Sequence, residues 1–221
     1  MKRRQAGFSF IEILVVMGII SVLVSMVVFV VPMIQENTRR TKSADNVQQM
    51  IKYYIADGAG VSKPWPKYNG KNFVLWLVAT GKIDKRDDKQ LQALFSPGDT
   101  HFSWGDGGAT IKDYAALTRE SLRTENSELL KLTSYAGRRN ATEGHTLTPD
   151  ELSKGALCIS DDDVGPLHHP KGLIIGYVSG SAKFVPWDEL DMSPPAENDN
   201  PENTLGDQSP NAELKHMSSG N

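Results

Sequence analysis

Few side chains in this 221-residue chain combine the residue types and spacings that chemistry needs. Glu12 is the first. It opens a stretch in which no residue from Ile13 to Val31 carries a charge, and the only non-aliphatic, non-aromatic interruptions, Gly18, Ser21 and Ser25, are small. A carboxylate beside so apolar a run is costly, and such groups usually have a partner and a function; the plainer alternative is a Glu that snorkels to an interface. The second candidate set is Asp161, Asp162, Asp163, His168 and His169. Carboxylates and imidazoles are metal-ligand types. However, the set has no HExxH, no paired CxxC and no calcium-loop spacing. It therefore reads as a hydrated acidic turn with one His bonding backbone, and no metal or cofactor is expected. Trp65, Trp76 and Trp104 could stack on a sugar ring, although Trp76 lies in an apolar run that reads as core. The loop Gly105-Asp106-Gly107-Gly108 lacks the Lys and Ser/Thr of a phosphate-binding loop, and no Ser occupies a G-x-S-x-G elbow. No catalytic residue is assigned, and an enzyme is not expected. Cys158 is the single cysteine, so no intrachain disulfide can form; within Ala156-Leu157-Cys158-Ile159 it reads as a small buried hydrophobe. A formal charge of -3 and the lack of a basic, aromatic-rich cluster argue against a nucleic-acid partner.

The element that must position Glu12 is the apolar run itself. Phe8 to Val31, at about 1.5 Å of rise per residue, extends over roughly 36 Å, enough for a bilayer core about 30 Å thick. Lys2, Arg3 and Arg4 precede the run, and Arg39, Arg40 and Lys42 come after it, so charge asymmetry says little about orientation. A secretory signal would have an apolar region of about 7–15 residues ending at a small-residue cleavage site; this run is longer, and Val31-Pro32-Met33-Ile34 offers no such site. The stretch Gly7-Phe8-Ser9-Phe10-Ile11-Glu12-Ile13-Leu14, behind its basic leader, resembles the prepilin signature of type IV pilins and type II secretion pseudopilins. The resemblance implies cleavage between Gly7 and Phe8 by a prepilin peptidase, N-methylation of Phe8, and assembly through Glu12, which becomes fifth in the mature chain. When spans pack with an axial stagger, the Glu12 of one subunit can meet the Phe8 amine of a neighbour. Opposite charges attract strongly at low dielectric. A plain membrane anchor is the rival reading.

Beyond the span, Pro32 is expected to kink a helix that then resumes. Ala44, Val47, Ile51, Tyr54 and Ile55 recur at helical spacing as an apolar stripe, and Gly58-Ala59-Gly60 closes the helix. Lys63-Pro64-Trp65-Pro66 reads as a turn-rich connector. Phe73–Thr80 reads as a short buried helix capped by Gly81, with a strand as the rival, and Asp87–Phe95 as another helix. Ser96-Pro97-Gly98-Asp99 is a turn, Phe102–Trp104 a candidate strand, 111–132 mixed helix and loop, and Leu132–Ala136 a strand.

The region 156–190 carries the clearest β signal. Ala156–Ser160 reads as a strand, and Leu173–Val178 and Ser181–Val185 as a hairpin around a two-residue turn, Ser179-Gly180. His169, nine residues, then Ser179-Gly180 resembles a C-terminal motif of one pseudopilin-like group. In that group the pair is Asp-Gly, succeeded by a Ser, a basic residue and an aromatic. Ser179 departs from the pattern, and Lys183-Phe184-Val185 fits its basic and aromatic positions. From Asp191 to Asn221 the chain has no aromatic residue and is rich in Pro, Asn, Ser and acids, so a disordered tail is expected.

The resemblance, with these elements, implies an α+β, pilin-like fold. A long N-terminal helix, transmembrane and then amphipathic, packs on a small antiparallel β-sheet domain, and a disordered tail completes the chain. The expected segments are a cytoplasmic leader (1–7), a transmembrane assembly helix (8–31), its amphipathic continuation (32–58), a periplasmic domain (59–190) and the tail (191–221). Many type IV pilins close a C-terminal loop with a disulfide, which this chain lacks, so the resemblance points to a pseudopilin of a type II secretion-type pseudopilus. It would be a single-pass protein of the inner membrane with its C-terminal domain in the periplasm. The partners so implied are the prepilin peptidase, other pseudopilin subunits of the same or different kind, and the assembly platform of the inner membrane. A minor pilin of a type IV pilus is the alternative within the class, and a membrane-anchored metal- or sugar-binding protein the alternative outside it.

Overall fold

The computed structural model describes residues 9–59, 62–63, 65–123, 128–138, 157–161 (backbone only), 168–196, 204–206, 209–211 and 214–217. The chain forms two units, Met1–Thr38 and Arg39–Asn221. In the first, helix α1 (Phe10–Ala56) begins and runs through Pro32 without interruption. Its apolar residues from Ile13 to Val31 are all exposed. This helix is long and apolar enough to cross a membrane. Side chains so apolar and so exposed are at home in lipid or against other helices.

In the second unit, α1 presents Ser43, Val47, Met50, Ile51 and Tyr54 to the core. The predicted stripe holds at Val47, Ile51 and Tyr54. Ala44 is half-buried, whereas Ile55 is exposed and Met50 and Ser43 take inward places that the pattern did not claim. Helix α1 closes with two C-terminal bonds, Gly58 N–H to Ile55 C=O and Ala59 N–H to Tyr54 C=O, which satisfy carbonyls the helix leaves unpaired. Helix α2 (Gly70–Ala79) is nearly all buried, as its apolar run requires, and ends at Gly81 as predicted. Tyr54 of α1 donates its hydroxyl to Phe73 C=O of α2 and stacks between Phe73 and Trp76. Helix α3 (Asp88–Gln92) is shorter than the 87–95 reading; Asp87 caps it by accepting from Lys89 N–H and Gln90 N–H. Helix α4 (Ile111–Ala115) comes next, and 3-10 turns occupy Ser121–Arg123 and Leu129–Leu132.

The sheet is an antiparallel meander in the order β1 (Tyr135–Gly137), β2 (Leu157–Asp161), β3 (Gly172–Tyr177), β4 (Ala182–Pro186). This corrects two local expectations. Leu132 ends a 3-10 turn rather than starting a strand, because Leu129 and Leu132 are both turned into the core. Phe102–Trp104 is no strand; Trp104 makes only an isolated bridge to Ala109. Helix α2 lies so close to β1 that a Cβ on Gly137 would overlap Phe73, so a glycine is required there.

The two faces of the sheet bury different sets of residues. Ile174 and Phe184, which pair across β3 and β4, belong to the helix-side core with Val47, Tyr54 and Phe73. Leu173, Ile175 and Val185 point the other way and cluster with Trp187, Leu190, Leu205, Leu214 and Met217. Some of the described residues of 191–221 join this second cluster. Leu205, Leu214 and Met217 are buried, Met217 bridges Arg138, and Asn211 donates to Leu190 C=O. The physical reason is the Leu173-Ile174-Ile175 run. A strand apolar on both faces needs cover on both, and these C-terminal residues provide it on the face that the helices leave open.

Candidate functional site

Of the three assembly candidates, Gly7 and Phe8 lie outside the described residues, and Glu12 lies in the first turn of α1. Glu12 is exposed. Its carboxylate accepts from Ser9 N–H at 2.8 Å, and Glu12 N–H and Ile13 N–H donate to Ser9 C=O at 3.0 and 3.3 Å. Ser9 is thus the residue before the helix and Glu12 the third within it, the carboxylate half of a capping box. Acid in a first turn also complements the positive end of the helix dipole. The sequence reading gave Glu12 its partner in another subunit and passed over this one in the same chain. The signal was there in the spacing of Ser9-Phe10-Ile11-Glu12.

The Asp/His set does not come together as a cluster in the described residues. Asp162 and Asp163 lie outside them, and Asp161 is described only as backbone, paired with Tyr135 at the end of β2. His168 and His169 turn inward on different partners. His168 Nε2 lies 3.3 Å from Asp99 Oδ2, with the two side chains 3% and 1% exposed. The other oxygen of Asp99 accepts from His101 N–H at 2.7 Å and Phe102 N–H at 2.9 Å. His169 Nε2 is 3.1 Å from Ser43 Oγ on α1, and Ser43 Oγ is 3.0 Å from Ser96 Oγ. The ring of His169 stands edge-on to Phe184, with centroids 6.2 Å apart. Sequence reasoning missed Asp99 and Ser43; nothing in their own neighbourhoods marks them, because their partners lie 69 and 126 positions away. Among the described residues no group of three or more His, Cys, Asp or Glu could hold a metal ion.

The tryptophans separate by location. Trp65 is buried against Tyr54 and Phe73, and Trp76 is stacked on Tyr54. Trp104, half-buried against Phe95 and Tyr114, lines a cavity of about 290 Å³ together with Asn46, Lys42 and Lys89. Cys158 belongs to β2, and its side chain falls outside the described set.

No curated protein and no solved structure matches the chain. Residues 2–28 match the family model of the prokaryotic N-terminal methylation motif. That stretch contains Gly7, Phe8 and Glu12 and most of the exposed apolar part of α1, and it supports a type IV pilin-like precursor in general, processed by a prepilin peptidase and assembling with pilin-like subunits.

Proposed function

We propose that the chain is a pseudopilin, a structural subunit of a type II secretion-type pseudopilus. The peptidase removes residues 1–7 by cutting after Gly7, and the new N-terminus at Phe8 is methylated. Residues 8–31 hold the precursor in the inner membrane, 32–58 continue the helix, and 59–190 form the periplasmic domain. Subunits leave the bilayer by packing helix to helix on the assembly platform. No residue is catalytic, and neither a metal nor a cofactor takes part.

The observation that carries this reading is the spacing from Gly7-Phe8 to Glu12, with Glu12 on a helix whose apolar side chains from Ile13 to Val31 are all exposed. A carboxylate one turn inside the span gives neighbouring spans a register. The Phe8 amine of one subunit is a cation, and a staggered neighbour's Glu12 is its counter-ion. Ser9 N–H holds the carboxylate meanwhile, so an unassembled subunit need not bury a bare charge.

Replacing Glu12 by Leu tests the reading. The span keeps its apolar length, so insertion is expected to equal or exceed that of the unaltered chain, and removal of 1–7 should persist because the cut lies outside the change. Crosslinked multimers should be lost, since an unpaired amine among packed helices has a desolvation cost with no compensating attraction. Normal multimers from Glu12→Leu would remove Glu12 from the mechanism and leave α1 as an ordinary anchor.

A further inference from the structure

The spacing His169, nine residues, Ser179-Gly180 takes no part in processing or in the contact at Glu12, and both of its ends lie beside α1. His169 lies three residues before β3, with Nε2 3.1 Å from Ser43 Oγ. Gly180 lies three residues beyond β3, and a Cβ built on it would stand 3.2 Å from Ile55 Cδ1. From Ser43 to Ile55 are twelve helical steps, about 18 Å at about 1.5 Å each. The six residues of β3 are five steps and cover about 17 Å at about 3.3 Å each. Helix and strand therefore run the same way over matched lengths, and the motif marks the two ends of the match.

We propose that His169 and Gly180 form a two-point clasp that sets the register of the Ser43–Ile55 segment of α1 on the β3–β4 hairpin. His169 is a positioning residue in this arrangement. Between the two points α1 is apolar: Val47, Met50, Ile51 and Tyr54 are fully or almost fully buried in the cluster that also holds Ile174 and Phe184. An apolar face attracts without choosing a register, because a helix that slides or turns by one residue still buries hydrophobic surface. A buried hydrogen bond between defined atoms does choose. Its loss takes one partner from Ser43 Oγ and one from the imidazole in a site where both residues are 0% exposed. At this end the seat is reinforced by Ser96, bonded to the same hydroxyl, by Asn46 Nδ2, which donates to Phe95 C=O and Tyr135 Oη at 3.3 Å, and by the Arg40 guanidinium 3.9 Å over the Phe184 ring. At the other end, Gly180 has φ +87° and closes the hairpin by donating to Tyr177 C=O, while Tyr177 N–H donates to Ser181 C=O. A glycine there supplies the left-handed backbone and leaves room for Ile55.

The proposal deepens the pseudopilin reading, since Ser43–Ile55 is the stretch through which α1 enters the domain, but its test does not depend on assembly. Hydrogen exchange of the full chain in detergent micelles reads α1 amides against α2 amides. His169→Ala should speed exchange at Ser43–Val47 by about tenfold or more and leave the amides of Phe73–Val78 unchanged. His169→Gln, which keeps a nitrogen donor near the Nε2 position, should recover most of that protection even if His169→Ala proves too unstable to handle. Gly180→Asn tolerates positive φ and places a side chain against Ile55; it should speed exchange only near the end of α1, and Ile55→Val in the same chain should reverse the effect. Uniform acceleration of α1 and α2, no acceleration at all, or a His169→Gln variant no better than His169→Ala would each overturn the clasp. Loss of multimers from Glu12→Leu bears on the pseudopilin reading alone, so the two can fail separately.

Discussion

His168 and His169 each direct an Nε2 atom into the domain, one to Asp99 and the other to Ser43. A metal at this place would have to draw both rings away from those partners and out of a site where each residue is at most 4% exposed. We therefore expect the thermal unfolding of the full chain in detergent to be the same with calcium, with zinc and with chelator. Tight binding to the native state must raise apparent stability, so an upward shift of many degrees at low metal concentration would refute this. The residue types that suggested a metal were legible in the sequence; their orientation was not, because it depends on Asp99 and on α1, both far away along the chain. Glu12 shows the opposite case. Its isolation in an apolar run was plain, and its bond to Ser9, though passed over, had a local signal in a spacing of three residues at a helix start.

At the scale of elements, the ends of helices and turns carry most of the local chemistry. Asp57, just past α1, accepts hydrogen bonds from Lys82 and Lys63, and these two cations, Lys82 first, hold its carboxyl below the usual range. A carboxylate with a depressed folded-state pKa contributes stability that is present above its unfolded pKa and is lost as pH falls through the folded one. The link from α1 to the Lys63 and Lys82 turns should therefore weaken below about pH 4, near the ordinary Asp value. Asp113 is lowered too, chiefly by the Thr110 hydroxyl and then by Thr110 N–H, so acid acts at both places. Unfolding measured between about pH 5 and pH 3 should show a shallower loss of stability for Asp57→Asn than for the unaltered chain; equal slopes would mean that the pair with Lys82 adds nothing. The positions of α1, α2, β3 and β4 were legible because long apolar runs, helical spacing and a Gly-containing turn are local signals. The hairpin loop proved one residue longer than predicted, Val178–Gly180, because Tyr177 and Ser181 pair and the glycine forms the bulge that such a loop uses. Val47 and Ile51 announced the buried face of α1, whereas the inward turn of Ser43 depends on His169 and Ser96, which no periodicity reveals.

For the whole molecule, composition was the only guide to 191–221. Its polar bias suggests a free tail, and among its described residues Leu205, Leu214 and Met217 pack on the second face of the sheet. The missing clue lay in β3: three consecutive aliphatic residues cannot all face one side of a strand. Leu214 is fully buried in that cluster, so Leu214→Ala is expected to destabilise the folded domain by about 2–5 kcal/mol, read by denaturant unfolding. A change within about 0.5 kcal/mol, the range typical of surface substitutions, would show that the C-terminal residues are not part of the fold. In the proposed function, every step after membrane insertion requires residues 1–7 to be gone. The most direct measurement is the intact mass of the protein extracted from the membranes of a host that carries the peptidase. The expected chain begins at Phe8 with one added methyl group. A chain that still carries Met1 to Gly7 in such a host would contradict it.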